Sequence, residues 1–259
     1  MSPLKNTAFK IFDKFRIKEG FKIKNFKEGF SMNLDMSEVL ENGLYYGIYE
    51  KEIKNVFKNI IKEGMTVVDV GANVGYYTLL SFCLIGYTGN IYSFEPTSIF
   101  KRLKENIDNQ EYLYFWNVKL HNVALSNFNG EKKGLIRSSY KIKDPFFPEI
   151  SNLKEFKKKW VGYSESSNFK YRTLDSYKLD KVDFIKIDVD GDELNVLKGA
   201  IETIKQFKPI MIIEVHNEHI KEMKDILKPF KYNFKEISVG GSWKNMLCST
   251  KLEDLPVGI

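Results

Sequence analysis

Cysteine is scarce in this chain. Cys83 and Cys248 are the two in 259 residues, both lie in apolar stretches, and neither belongs to a C-x-x-C or Cys/His cluster. That pattern argues against a disulfide framework and a cysteine-based zinc site, and it points to a reducing, cytoplasmic setting. Long apolar runs are missing as well. No stretch approaches the ~20 apolar residues of a membrane span, and the N-terminus carries no apolar core of the signal-peptide kind, so export or membrane insertion is not expected. Internal repeats, low-complexity tracts and a recognised RNA-binding motif are absent. The three-glycine dinucleotide fingerprint, G-x-G-x-x-G, is absent too. What is present is a hydrophobic content of 43%, enough for a substantial core, in a length that suits one α/β domain with additions.

The net charge of +6 is unevenly spread. Between Met1 and Met32, eight basic residues (Lys5, Lys10, Lys14, Arg16, Lys18, Lys22, Lys24 and Lys27) outnumber Asp13, Glu19 and Glu28, a net of +5 on one arm. Such an arm suits anionic lipid, nucleic acid or a phosphorylated substrate, and peripheral membrane contact is one expectation; a solvated lysine-rich face is the plainer one. Leu4, Ala8, Ile11, Phe12 and Phe15 recur at helical spacing. Phe21 and Ile23, then Phe30, Met32 and Leu34, alternate as in a β-hairpin, read as a lid or edge ornament. Residues 1–50 thus read as a basic helix-and-hairpin extension, and 51–259 as the α/β domain.

The chain is organised around Met65 to Leu80. Val67, Val68 and Val70 have the length and β-branching of a buried parallel strand, which runs into Gly71-Ala72-Asn73-Val74-Gly75 and then a helix. Glycines there let the backbone bend and a ligand approach, and the helix offers free N–H groups. Asp69 precedes the turn, and Glu95 closes the next strand before Pro96. An acid about 20 residues beyond a glycine turn suits a ribose diol. Because the pattern is G-x-N-x-G and Asp69 would repel a phosphate, a ligand with a cationic amino-acid end fits better than a dinucleotide. S-adenosylmethionine is such a ligand.

Further strand ends arrive on the same face. Asn122-Val123-Ala124 could frame an adenine ring, with a turn or cap as the other reading of Asn122. Val182 to Ile187 ends in Asp188-Val189-Asp190-Gly191-Asp192-Glu193, and Pro209 to Val215 ends at Glu214 and His216. Open α/β sheets bind ligands at these carboxyl ends. Asp188 is a candidate to position or deprotonate a hydroxyl, and His216 is either a general base or a structurally satisfied histidine. Asp188, Asp190 and Glu193 form a possible Mg²⁺ site, against the plainer reading of Asp190 and Glu193 as helix caps. Residues 141–170, with Pro145-Phe146-Phe147-Pro148, Lys157 to Lys159, Trp160 and Tyr163, read as an irregular insertion, either an acceptor-side wall or a surface loop.

The strings Y-Y-G-I-Y-E (45–50), V-V-D-V-G-A-N-V-G-Y-Y-T (67–78), Y-S-F-E-P (92–96), N-V-A-L-S (122–126) with Gly130, T-L-D-S (173–176), I-K-I-D-V-D-G-D-E-L-N-V-L-K-G-A (185–200) and I-I-E-V-H (212–216) resemble, in order and spacing, the FkbM family of S-adenosylmethionine-dependent methyltransferases. The resemblance implies a class I methyltransferase fold, a Rossmann-like doubly wound sheet, mostly parallel with an antiparallel final strand. It also implies cofactor contacts in the Asp69, Gly71, Ala72, Asn73 and Gly75 segment, the ribose on Glu95 beside Pro96, and the adenine near Asn122, Val123 and Ala124. Acceptors in the family are commonly hydroxyl groups on sugars or macrolactones. One departure is Asp190, where the family's D-V-E-G-x-E has glutamate; it leaves any role of that residue, metal binding included, open. The expected activity is O-methylation of a sugar or glycan hydroxyl, with Asp188 or His216 receiving the proton. Methylation of RNA or of a natural product, and a nicotinamide oxidoreductase, are the alternatives.

Overall fold

The computed structural model describes residues 20–110, 116–142 and 160–251. The helix expected from Leu4 to Phe15, most of the basic arm, and the centre of the 141–170 segment lie outside the described residues.

Strands β1 (Phe21–Asn25) and β2 (Ser31–Asp35) form the expected antiparallel hairpin. Alternation puts Phe30, Met32 and Leu34 into the core and leaves Phe21 and Ile23 outside. Phe26 and Phe30 stack at 4.7 Å and close on Tyr76 at 5.5 and 6.0 Å. The hairpin is therefore a core-packing cover for the helix behind the glycine turn, rather than an edge ornament. Helix α1 (Val39–Tyr46) ends at Gly47, which takes the left-handed conformation that closes a helix, and α2 (Lys51–Ile60) buries Ile53, Val56 and Phe57.

The main sheet begins with β3 (Thr66–Val70), buried at every position. It continues through α3 (Tyr76–Ile85), β4 (Asn90–Phe94), α4 (Phe100–Asp108) and β5 (Val118–His121). The short β6 (Ala124–Leu125) and the long β7 (Gly130–Ile142) and β8 (Trp160–Arg172) form a separate three-stranded sheet, order β6-β8-β7. The chain then returns with β9 (Phe184–Ile187), α5 (Glu193–Lys198), α6 (Ile201–Phe207), β10 (Ile210–His216), α7 (Ile220–Leu227), β11 (Asn233–Gly240) and β12 (Trp243–Ser249).

The seven-stranded order is β11-β12-β10-β9-β3-β4-β5. From β10 to β5 neighbours run parallel, and the final strand β12 is inserted antiparallel between β10 and β11. Alternation distributes the sheet's side chains to two cores. Val67, Phe184 and Ile212 face α2, α3 and α4, while Val68, Ile185, Ile187 and Ile213 face α5, α6 and α7. Both faces being covered explains why the central strands read as near-continuous apolar runs.

The 141–170 segment is not irregular throughout. Its ends belong to a β7–β8 hairpin whose register runs from Gly130↔Tyr171 to Ile142↔Trp160. The reason it reads as a loop is that, from 162 to 170, only Phe169 is buried, so the strand carries polar residues at nearly every position. Among the described residues no helix is long and apolar enough to cross a membrane.

Candidate active site

The turn after β3 is built from backbone conformations that its sequence allows. Gly71, Asn73 and Gly75 have φ of +81°, +50° and +94°. The N–H groups of Gly71 and Ala72 both donate to the Phe94 carbonyl, at 2.9 and 3.0 Å, which ties the turn to the end of β4. A Cβ at Gly71 would lie 1.8 Å from the carbonyl oxygen of Asp188, so only glycine lets the turn pass beneath the end of β9. Asn73 is a residue type that tolerates the left-handed region, and its Oδ1 accepts the Val74 N–H at 2.8 Å.

Glu95 is 6% exposed and held in place before any ligand arrives. Its Oε1 accepts from the N–H and hydroxyl of Thr97 (3.0 and 2.6 Å), and its Oε2 accepts the Asn73 N–H at 3.0 Å. Burial raises its carboxyl above the ordinary value, and these donors act against that. Asn122 clamps the same corner: its side-chain amide donates to the carbonyls of Glu95 (2.9 Å) and Pro96 (3.1 Å). Asp69 lies deeper, 1% exposed, accepting from Thr78 Oγ1 at 2.8 Å in a chain that continues to Ser93.

Two adjoining cavities open over these strand ends. The first, about 640 Å³, is bordered by Gly71, Phe94, Pro96, Val123 and Ala124 beneath and by Lys132 to Arg137 of β7. The second, about 760 Å³, is bordered by Asn73, Glu95, Asp188 and Glu214, and by Tyr49, Glu50, Arg137 and Trp243. They share Gly71, Pro96, Ile136, Arg137, Val189 and Asp190, so the glycine turn and β7 form the boundary between two halves of one cleft. Both volumes lie in the roughly 300–1,000 Å³ range of small-molecule sites.

Below the second cavity sits a charge cluster assembled from four parts of the chain. Lys186 of β9 is 3% exposed; its Nζ lies 2.7 Å from Asp188 Oδ2 and 4.7 Å from the centre of the Tyr77 ring. In the sheet Lys186 pairs with Asp69 of β3. Glu50, in a left-handed conformation just before α2, accepts from the Tyr77 hydroxyl at 2.8 Å. Glu214 of β10 stands beside Asp188 at the end of the neighbouring strand, on the border of the same cavity, and the two carboxyl groups act on each other's ionisation. One buried ammonium thus contacts Asp188 and lies within electrostatic reach of Glu50, Asp69 and Glu214. Burial opposes the charge on Lys186, but Asp188, Glu50 and Asp69 outweigh it and hold the ammonium firmly protonated. Burial likewise opposes ionisation of Asp188, and the neighbouring Lys186 overrides it, holding that carboxyl below its ordinary value. Glu214 goes the other way: burial, then the charges of Asp188 and Glu50, push it up to about 10.

Of the residues singled out in the sequence, Gly71, Asn73, Glu95, Pro96, Val123, Ala124 and Asp188 border the cleft. Asp69, Ala72, Gly75 and Asn122 do not; they shape the turn and the β4 corner behind it. His216 stands outside as well, its ring 5.1 Å from Trp243 and its Nδ1 3.1 Å from Glu218. The possible Mg²⁺ site of Asp188, Asp190 and Glu193 is not assembled, and among the described residues no group of three or more His, Cys, Asp or Glu side chains is placed to hold a metal ion. Asp188 is engaged with Lys186, while Glu193 points inward and accepts the Gly191 N–H at 2.7 Å. Sequence reasoning missed Lys186, Glu50 and Arg137; the first two lie inside the quoted strings, but only their neighbours in the fold reveal what they do.

An open sheet with a last strand inserted antiparallel, a glycine turn at its first strand end and an acid at the second defines the class I methyltransferases. Residues 69–236 match the family model described as the methyltransferase FkbM domain. The chain belongs to the FkbM family of S-adenosylmethionine-dependent methyltransferases. Among solved structures it is similar to the methyltransferase FkbM from Methylobacillus flagellatus KT, at 15% identity and a TM-score of 0.49, over 95% of this chain and 58% of that one. It is also similar to fibrillarin from Aeropyrum pernix with S-adenosyl-L-methionine, at 13% identity and TM-score 0.46, over 73% and 68% of the two chains. A SAM-dependent methyltransferase from Aquifex aeolicus shares 17% identity at TM-score 0.43, over 77% and 89%. No curated protein matches the sequence.

The residues present suit the cofactor. Glu95 borders the cavity with Oε1 filled by Thr97 and Oε2 oriented by the Asn73 N–H, which leaves an acceptor site on Oε2 for a ribose hydroxyl, and the turn beside it has no side chain at Gly71 to block a ligand.

Proposed function

We propose that this methyltransferase acts on a hydroxyl group of a sugar or glycan. The observation that carries the reading is the lining of the second cavity. Glu50, Asp188 and Glu214 offer hydrogen-bonding oxygens at its base, and Tyr49 and Trp243 offer aromatic surface beside them. Carboxyl groups satisfy hydroxyls, and aromatic faces suit the apolar C–H side of a sugar ring. A phosphate-rich acceptor such as RNA meets mostly carboxylates there, with Arg137 as the described cation on the border.

S-adenosylmethionine, when bound, supplies a methyl group on a positively charged sulfur. In this reading the 71–75 turn and Glu95 would hold its amino-acid and ribose parts, and Val123 and Ala124 would receive the adenine. Asp188 would orient the acceptor hydroxyl and take its proton as the methyl group passes from sulfur to oxygen, the sulfur–methyl bond breaking to leave a neutral thioether. It is preferred to His216 because it borders the cavity and the Lys186 ammonium keeps it ionised. The test is transfer of a labelled methyl group to a panel of monosaccharides, glycans, nucleotide-sugars and RNA, with and without Mg²⁺. A sugar product that Asp188→Ala makes about 10²–10⁴-fold more slowly supports the reading; labelling of RNA alone, or full turnover by the variant, overturns it.

A further inference from the structure

The cleft contains an acid to which the scheme above gives no part in the transfer step. Glu214 lies on β10 next to β9, and it borders the same cavity as Asp188. The groups facing it are Asp188 and Lys186 of β9 and Glu50 and Tyr49 ahead of α2; behind them Tyr77 of α3 bonds Glu50, and Asp69 of β3 pairs with Lys186 in the sheet. On β12 its pairing partner is the neutral Asn245. If all four carboxyls were ionised, they would bring four negative charges around the single ammonium of Lys186. With Asp69 and Lys186 buried and Glu50, Asp188 and Glu214 half-buried, the cluster does not carry that excess cheaply, which favours a proton remaining on some of them.

We propose that Glu214 is a positioning residue for methyl transfer: as a neutral carboxylic acid it donates its proton to the Asp188 carboxylate from one side while the Lys186 ammonium, 2.7 Å away, holds it from the other. Gripped by two donors, Asp188 has one orientation and keeps a lone pair for the acceptor hydroxyl. The inference rests on the reading that Asp188 meets that hydroxyl. Geometry decides which acid keeps the proton: Lys186 contacts Asp188 directly and so selects it for the charge, leaving Glu214 as the donor. The carboxyl of Glu214, raised to about 10, agrees with this ordering.

Two measurements on the full chain test it. The first needs no acceptor: carbon-13 NMR titration of the side-chain carboxyls with S-adenosylmethionine bound, comparing wild type with Glu214→Gln. A glutamic acid resonance that stays protonated through neutral pH and disappears in the variant is the expected result. Titration of Glu214 in the ordinary carboxylate range overturns the proposal, whatever the acceptor screen yields. The second uses a sugar acceptor from that screen. Glu214→Gln retains a donor and should keep kcat within about threefold, but lose the alkaline fall in rate. Glu214→Ala should lose about 10²-fold in kcat, the scale of a misplaced reacting group, with cofactor affinity unchanged. Equal loss in both variants, or an alkaline limb that persists in Glu214→Gln, overturns the positioning role. A screen without any hydroxyl acceptor sinks the preceding reading but leaves the NMR result to decide the protonation of Glu214.

Discussion

Glu95 shows at the scale of one residue how the fold prepares a ligand contact. Its oxygens are fixed by Thr97 and Asn73, so Glu95→Gln keeps the shape and removes the charge. A hydrogen bond to a charged group contributes about 1.5–3 kcal/mol. Calorimetry should therefore find S-adenosylmethionine bound roughly 10- to 100-fold more weakly, with the circular dichroism of the wild type; unchanged affinity would remove the ribose role. Glu193 makes a separate prediction. It is 0% exposed, one oxygen accepts the Gly191 N–H, and the other has no partner among the described residues. Burial raises its carboxyl from 4.5 to about 7. Between those values the folded protein keeps a proton that the unfolded chain has released, so stability falls as pH rises through that window and levels off above it. Urea denaturation at pH 4.5, 6 and 7.5 should show a shallower fall for Glu193→Gln; an unchanged slope would mean that Glu193 titrates normally. Glycine spacing and the acids at strand ends were legible from residue identity alone. The gathering of four acids around Lys186 was not, because it joins side chains from β3, β9, β10 and the turn before α2.

At the scale of elements, α1 forms part of the cleft wall. Glu38, Val39, Leu40 and Glu41 border the second cavity, and Arg102 of α4 anchors α1. Its Nη2 donates to Glu41 Oε2 at 2.6 Å, and the Asp35 N–H reaches the same oxygen at 2.7 Å. Glu41 is 2% exposed, so Arg102→Ala leaves a buried charge without its partner. Removing one partner of such a pair costs about 3–5 kcal/mol. Chemical denaturation should show a loss near the lower end, since Arg102 is partly solvated, and adding Glu41→Gln should recover part of it. A loss below 0.5 kcal/mol, the range of ordinary surface changes, would show that the pair does not hold α1. The β7–β8 hairpin contributes Ile136 and Arg137 to both cavities. Its sequence concealed this because a hairpin solvated on most of its surface shows little hydrophobic alternation.

At the scale of the whole molecule, the cleft lies along the carboxyl edge of β3, β4 and β9, with the N-terminal elements on one side and β7 over it. A ligand seated there binds the folded state alone. At 100 times its dissociation constant it adds about 2.7 kcal/mol of stability, which for a chain of this size raises Tm by roughly 5–10 °C. S-adenosylmethionine should produce such a shift and NAD should not, since the G-x-N-x-G turn lacks the third glycine. A shift with NAD alone would contradict the cofactor.

By itself the sequence determined the strand–turn–helix at Val67 to Leu80, the strand ends at Glu95 and Asp188, and through their combined spacing the methyltransferase family. Those features are local: periodicity, glycine and a few acids at set intervals carry them. Only the tertiary structure decided that Asp69 supports the turn from below, that His216 stands outside the cleft, that Asp188, Asp190 and Glu193 do not converge, and that Glu214 faces Asp188. Each of these depends on the direction of a side chain relative to a neighbouring strand or helix. Sheet register and packing set that direction, between residues as far apart in the chain as Glu50 and Glu214.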